Sequence, residues 1–296
     1  MATGLHVDVR RFFDARVGEW AASYADLEPG SPSAQMLVSR LRLAVELVAA
    51  DVPPGSKVVD LGCGTGETAA RLERLGYEVW GLDLVEGMIG YARGRCASGR
   101  FQVGDLTRMP FRDDTFDAVV CLGVVEYLDG DDRALREIRR VLRPGACAVI
   151  STPNAVCPLF HADRVLVGLL ALLRPLAHVV RYRLRGKQGP ARQAPRGIVS
   201  RKYRRGRWLR LVRSAGLEPE EWVCHGWGWH RSWPLDFAGR LLFRAGRSGR
   251  RLLERWPGLT VLRRIDDALV HSRALNWLAA EQIVRVRAVE EPGRRA

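Results

Sequence analysis

Lysine is nearly missing from this 296-residue chain: three of its 47 basic residues are lysine and the rest are arginine. Histidine is sparse too, at six. The six cysteines (Cys63, Cys96, Cys121, Cys147, Cys157, Cys224) form no CxxC pair and no Cys/His spacing that would close around zinc, so no metal site is expected. Scattered thiols of this kind fit a reducing cytosol. The N-terminus, MATGLHVDVRRFFDA, has no apolar signal core. No uncharged apolar run reaches the roughly 18 residues that a membrane span needs. The longest candidate, 158–180, is interrupted by Asp163, Arg164 and Arg174. Apolar residues as a class are plentiful, at 47%, which excludes disorder along the whole length and suits one large domain or one domain with an appended cap.

One stretch lacks acid altogether. Residues 181–213 hold 13 basic residues and no Asp or Glu, whereas residues 1–157 hold 18 basic against 22 acidic ones. The net charge of +14 is therefore almost wholly local. That excludes a uniformly basic coat for nucleic acid.

The pattern along the chain alternates strands and helices. It predicts a helix over 8–25 and another over 32–50, with Ser31 as cap and Pro32 in the first turn. Strands are expected at Lys57–Leu61, Glu78–Asp83, Phe101–Val103, Asp117–Leu122 and Ala146–Ser151. Helices are expected at Thr68–Leu75, Met88–Arg95 and 131–142. Later come a helix over Ser200–Ala215, a strand over Leu217–Gly226, two amphipathic helices over 235–254 and 260–278, and a last strand over Glu281–Ala288. Continuous apolar strands between helices imply a parallel sheet covered on both faces.

The informative segment is Val58-Val59-Asp60-Leu61-Gly62-Cys63-Gly64-Thr65-Gly66, which follows a strand and opens a helix. Alternate glycines allow a tight turn and a close ligand approach. A GxGxxG dinucleotide turn would place its third glycine at 67, where Glu67 stands and would face a pyrophosphate. No Gly-Lys-Ser/Thr follows, which excludes a P-loop. The pattern suits a ligand carrying an ammonium and a sulfonium.

This segment resembles motif I of the class I S-adenosylmethionine-dependent methyltransferases. Further matches follow in order: Gly81-Leu82-Asp83-Leu84, Val103-Gly104-Asp105-Leu106, Asp117–Gly123 with Val124-Val125-Glu126-Tyr127-Leu128, and Leu142-Arg143-Pro144-Gly145. The resemblance covers residues 50–153 closely, and 8–30 and 200–225 loosely. It implies a Rossmann-like, doubly wound, seven-stranded mixed α/β sheet with the last strand antiparallel, plus helical cap insertions. It also implies S-adenosyl-L-methionine as cofactor, held by Asp60, Gly62, Cys63, Gly64, Gly66, Leu122 and the residues that follow. Asp83 would accept both ribose hydroxyls, Asp105 the adenine amino group, and Leu84 and Leu106 would pack near the base. Tyr24 and Trp20 would close over the cofactor; packing on the sheet is the alternative.

For an acceptor that needs a base, the candidates are His225, His230 and Glu126. Both histidines lie in the Trp222–Trp233 segment, which holds four of the nine tryptophans and would wall a flat, apolar acceptor or simply pack the cap. Glu126 resembles the glutamate of a Glu-His pair in ubiquinone-pathway O-methyltransferases, but Tyr127 replaces the histidine, which weakens any carry-over of its role. The implied organisation is a helical lid over 1–50, a cofactor core over 51–153, and a basic and apolar helical insertion over 154–200. A return to the core follows over 201–233, then a helical cap over 234–279 and the last strand and tail over 280–296. The apolar run at 165–173 followed by the cations up to 213 suits an anionic membrane surface contacted through 158–213; a solvated arginine face is the alternative. The expectation is a cytoplasmic enzyme, at or away from a membrane surface, that methylates a small apolar or aromatic acceptor, most readily on oxygen. A quinone, polyketide, other specialised metabolite or lipid-linked substrate would fit. The rival readings are an RNA methyltransferase using 181–213 and a non-catalytic membrane- or partner-binding protein of the same fold.

Overall fold

The computed structural model describes residues 4–25, 32–157, 200–226, 264, 268–270, 272 and 279–289, with the side chains of 4–8, 22–25 and 32–35 outside that description. The elements are α1 (Gly4–Asp14), α2 (Val17–Ala25), α3 (Pro32–Ala49), β1 (Lys57–Leu61), α4 (Glu67–Arg74), β2 (Glu78–Asp83), α5 (Glu86–Arg95), β3 (Arg100–Val103) and β4 (Phe116–Leu122). They continue with a single 3-10 turn (Val125–Tyr127), α6 (Asp131–Val141), β5 (Leu142–Pro153), α7 (Arg205–Ser214), β6 (Leu217–His225) and β7 (Glu281–Ala288).

One seven-stranded sheet runs in the order β3-β2-β1-β4-β5-β7-β6. The first five strands pair in parallel; β7 lies antiparallel between β5 and β6. Period-2 alternation explains how both faces are buried. Val58, Ala118, Val120, Cys147, Val149 and Ile283 point to one side, where Leu41, Ala44 and Val48 of α3, Leu72 of α4 and Ile89 of α5 pack. Val59, Leu61, Val119, Cys121, Ala148, Ile150, Val284 and Val286 point to the other, against Leu135 and Ile138 of α6 and Trp208 and Val212 of α7. A helix needs one such apolar stripe and a parallel sheet needs two, which is why the strands read as unbroken apolar runs. The sheet's direction of winding reverses between β1 and β4. In this architecture ligands bind in the crevice beyond the strand ends at that reversal.

Several boundaries differ from the expectation. The helix over 8–25 is two helices, separated at Ala15–Arg16, where Arg16 N donates to Phe13 O in a tightened last turn. Asp14 and Gly18, both poor helix formers, flank the break. α3 was expected within a lid, yet it is one of the layers covering the sheet. Residues 200–204 are extended: Tyr203 bridges Asn154 in parallel, and the helix starts only at Arg205. β5 begins at Leu142, so Arg143-Pro144-Gly145 is an irregularity inside the strand, with Gly145 at φ +75°, and not a turn before it. Most of the 154–200 insertion and of the 234–279 cap lies outside the described residues.

Candidate active site

The chain leaves β1 through Gly62, Gly64 and Gly66, at φ +68°, +52° and +85°. The three glycines serve different ends. A Cβ on Gly62 would stand 2.3 Å from Val124 Cγ2, and one on Gly66 2.8 Å from Ala92 Cα, whereas one on Gly64 would meet nothing within 4 Å. Gly62 thus lets the loops after β1 and β4 touch, Gly66 lets α5 pack on the turn, and Gly64 leaves open space in front of it. Gly62 N and Cys63 N both donate to Leu82 O, at 2.7 and 3.1 Å. Asp83 Oδ2 accepts from Gly64 N and its Oδ1 from Val85 N, each at 2.9 Å. The carboxylate at the end of β2 therefore clamps the glycine turn, a structural duty that the motif did not announce.

Glu67 does not behave as a bare carboxylate facing the turn. It accepts from Thr65 Oγ1 at 2.6 Å and pairs with Arg95 Nη2 at 3.0 Å, while Arg95 Nε donates to Thr65 O. The case against a pyrophosphate site consequently rests on the missing third glycine and not on an exposed charge at 67.

Asp60 is 3% exposed, and its Oδ2 has no hydrogen-bond partner among the described residues. Burial first, then the charges of Asp83 and Glu67, push its carboxyl up to about 8. Burial also raises Asp83, against backbone hydrogen bonds that lower it. The Cys63 thiol is raised by burial and the neighbouring acids. Crowded acids beside a glycine turn, with Asp60 Oδ2 unpartnered among the described residues, suit a ligand that brings cationic groups and hydroxyl donors. The residues present thus fit S-adenosylmethionine, whose ammonium and sulfonium are cationic and whose ribose supplies a diol. Leu84 and Leu122 are half-buried and Leu106 is buried, at the ends of β2 and β4 and just past β3. Asp105 Oδ1 accepts from Thr107 N and Thr107 Oγ1, both at 2.8 Å, so that oxygen caps its own turn.

A second buried polar group lies along the same sheet edge. Glu126, in the 3-10 turn after β4, is 3% exposed with Oε2 unpartnered among the described residues. Burial pushes it up to about 8, with Glu281 raising it further and Arg40 opposing. His225, the last residue of β6, is fully buried; its Nε2 lies 3.2 Å from Glu281 Oε2. That distance suits an ion pair, but the alignment is not that of a hydrogen bond, and neither ring nitrogen makes one among the described residues. Arg40 Nη1 lies 3.3 Å from Glu281 Oε1. Sequence reasoning found Glu126 and His225 but missed Arg40 and Glu281. Two signals were present: a cation on the apolar stripe of α3 that carries Met36, Ala44 and Leu47, and an acid at the first position of the last strand, ahead of Ile283 and Val284.

His230 falls outside the described residues, as do Trp227, Trp229 and Trp233; Tyr24 lies on α2 but its side chain is likewise outside. Trp222 is spent on β6, its Nε1 3.0 Å from Cys224 Sγ and its ring under the Arg205 guanidinium. Phe13 of α1 meets Tyr127 edge-on at 5.5 Å and Trp20 at 5.8 Å, and Val17 of α2 approaches Gly87 of α5. The N-terminal helices therefore bridge the α5 side and the Glu126 turn.

The raised carboxyls give the empty protein a pH dependence. Asp60 and Glu126 hold their protons more tightly folded than at their usual 3.8 and 4.5. Their contribution to stability is full below those usual values and is lost as pH rises toward about 8. The melting temperature of the ligand-free protein should fall from pH 6 to pH 8.5, and Asp60→Asn should flatten that fall. A profile as steep in Asp60→Asn as in the wild type would refute the assignment for Asp60.

Residues 59–150 match the family profile described as methyltransferase domain. Those residues are a methyltransferase domain, similar to that of the class I S-adenosylmethionine-dependent enzymes. The demethylmenaquinone methyltransferase of Corynebacterium kroppenstedtii is 37% identical over 158 residues, covering 52% of this chain and 63% of that protein. The malonyl-[acyl-carrier protein] O-methyltransferase of Serratia marcescens is 36% identical over 99 residues, covering 33% and 39%. The chain thus spans less than two thirds of the length of these relatives. Among solved structures, the [4+2]-cyclase SpnF superposes with a TM-score of 0.59 at 21% identity, covering 96% of each chain. Magnesium protoporphyrin IX methyltransferase from Synechocystis, with bound S-adenosylhomocysteine, does so at 0.59 and 14%, covering 94% and 97%. At such identities the likeness is one of fold.

Proposed function

We propose that the protein transfers a methyl group from S-adenosylmethionine to a small apolar or aromatic acceptor, most readily at oxygen. The observation that carries this is the open space before Gly64, bounded by the crowded carboxyls of Asp60 and Asp83 and continued along the sheet edge by buried Glu126 and His225. The donor, once bound, supplies a methyl group already activated by its sulfonium. The protein's own task is alignment and water exclusion, and orientation of this kind contributes on the order of 7–11 kcal/mol. A hydroxyl acceptor also needs somewhere to send its proton, and buried Glu126 and His225 are the groups placed to take it. The relatives' names pair the domain with quinone and acyl-carrier substrates, which supports a small-molecule acceptor of that general kind. The test is calorimetry with S-adenosylhomocysteine, followed by methyl incorporation from labelled donor into a panel of quinols and phenols. Absence of cofactor binding would sink the reading.

The second reading, a protein of this fold without methyl transfer, is favoured by one neighbour of the same fold, the [4+2]-cyclase SpnF. Cofactor binding without turnover on any acceptor, RNA included, would promote it.

We further propose that the enzyme works in the cytoplasm at an anionic membrane surface. The described support is α7 with its N-cap, which together present Arg204, Arg207 and Arg210 to solvent. Each cation near such a surface contributes about 1 kcal/mol. Changing all three to glutamine should therefore weaken binding to phosphatidylglycerol vesicles about a hundredfold. Equal sedimentation with neutral phosphatidylcholine vesicles, or an unaffected triple variant, would contradict the proposal. Among the described residues no helix is long and apolar enough to cross a membrane.

A further inference from the structure

Three buried polar groups drawn from distant parts of the chain meet beyond the sheet: Arg40 on α3, His225 at the end of β6 and Glu281 at the start of β7. Backbone pairing sets two of them opposite each other, since His225 and Glu281 are register partners in the β6–β7 ladder. Glu281 also pairs with Pro153 at the end of β5, so its position is fixed from both sides. Its two oxygens divide their work: Oε2 lies 3.2 Å from His225 Nε2, and Oε1 lies 3.3 Å from Arg40 Nη1. Arg40 is itself fixed, because its guanidinium lies where a Cβ on Gly123 would stand, 2.5 Å from Nη1. Gly123 follows β4 directly and precedes the Glu126 turn, and Gly123 N donates to Ser151 Oγ at 2.9 Å.

A buried imidazole with no hydrogen bond at either nitrogen is costly unless something meets it. Glu281 faces one nitrogen only. A carboxylate beside Nε2 favours the tautomer with its hydrogen there, which leaves Nδ1 bare. Nδ1 has no partner among the described residues. Among the described residues, the charged and titratable groups linked to the ring are Glu281 beside it, Arg40 behind Glu281, and Glu126, which is coupled electrostatically to both.

We propose that His225 Nδ1 is the base that takes the acceptor's hydroxyl proton, and that Glu281, anchored by Arg40, is the positioning residue that fixes the ring's tautomer. The inference rests on the methyl-transfer reading of the site. The transfer forms a carbon–oxygen bond to the acceptor and breaks the donor's carbon–sulfur bond, while the hydroxyl proton passes to Nδ1. One positive charge thereby leaves the sulfur and one appears on the imidazolium, where Glu281 offsets it. The acceptor class is accordingly one with an acidic hydroxyl, a phenol or an enol.

The experiment is nitrogen-15 NMR of histidine-labelled whole protein, with His225 assigned by the signal lost in His225→Gln. The expected result is a neutral His225 with hydrogen on Nε2 and Nδ1 bare. In protein saturated with S-adenosylhomocysteine, phenol as the minimal aromatic hydroxyl should shift the Nδ1 resonance toward hydrogen-bonded values. Glu281→Met should lose both the tautomer preference and the phenol response. Glu281→Gln, whose amide oxygen still accepts, should retain both, a rescue that a merely structural contact would not give to the phenol response. Hydrogen on Nδ1 in the wild type, an unmoved Nδ1 at saturating phenol, or a wild-type spectrum in Glu281→Met would each overturn the proposal. Should Glu281→Met fail to fold, the wild-type tautomer and phenol response decide alone. Calorimetry on the same sample separates the two readings: no binding of S-adenosylhomocysteine defeats methyl transfer, whereas binding with the wrong tautomer defeats only this inference.

Discussion

Replacing Asp83 by alanine should weaken S-adenosylhomocysteine binding by about a hundredfold or more, since hydrogen bonds to a charged group contribute about 1.5–3 kcal/mol each and tenfold in affinity is about 1.4 kcal/mol. Two losses combine in that variant. The carboxylate that would receive the ribose diol is gone, and so is the acceptor that holds Gly64 N and Val85 N. The first loss acts on the ligand and the second loosens the turn that the ligand must meet. Asp83→Asn separates them, because its amide oxygen still accepts one backbone N–H but carries no charge. It should bind roughly tenfold more weakly than the wild type, between the two extremes. Calorimetry, with circular dichroism to verify the fold, makes the measurement. An Asp83→Ala affinity within about threefold of the wild type, about 0.7 kcal/mol, would remove Asp83 from ribose recognition.

The two glycines that flank Thr65 should fail in different ways. Gly66→Ala places a methyl 2.8 Å from the Ala92 backbone at a φ of +85°. The left-handed strain costs about 1–2 kcal/mol and the overpacking about 1–3 kcal/mol, so the sum is roughly 2–5 kcal/mol. For a domain of this size that should lower the melting temperature by roughly 5–20 °C. Gly64→Ala meets no atom within 4 Å, and its φ of +52° lies where other residues are occasionally found. Its stability loss should be about 1 kcal/mol, yet its methyl enters the space kept open before the turn, so cofactor affinity should drop by about tenfold or more. Thermal melts and calorimetry on both variants test the contrast. Equal stability loss, or a Gly64→Ala protein that binds like the wild type, would show that the turn's glycines are not divided in this way.

Much of the cofactor half was legible because its signals are local. Lys57–Leu61, Glu78–Asp83 and Glu281–Ala288 form strands at the expected residues, since short apolar or alternating segments rich in valine, isoleucine and leucine and bounded by turns have few other folds. The glycine turn was readable for the same reason, as spacing along the chain is spacing in the turn. The Glu126–His225 region was legible only in part, since those two residues stood out but their neighbours Arg40 and Glu281 did not. Arg40, His225 and Glu281 are brought together by sheet order, and nothing along the chain announces that β7 inserts between β5 and β6. Glu67 was misjudged because its partner, Arg95, lies one helix away. The start of α7 was set too early because Tyr203 is claimed by Asn154 across the sheet edge, a pairing that outweighs helix propensity.

The place of β7 has a consequence for synthesis. Residues 281–288 leave the ribosome after every other strand, yet they occupy an interior position in the sheet. Until they arrive, β5 and β6 have no common neighbour, and the ladder that faces His225 with Glu281 does not exist. A nascent or prematurely terminated chain can thus assemble the glycine turn with Asp60 and Asp83 while lacking the other half of its chemistry. Such a fragment carries the glycine turn without the Arg40–Glu281–His225 cluster, and its two unpaired strand edges mark it for aggregation or removal.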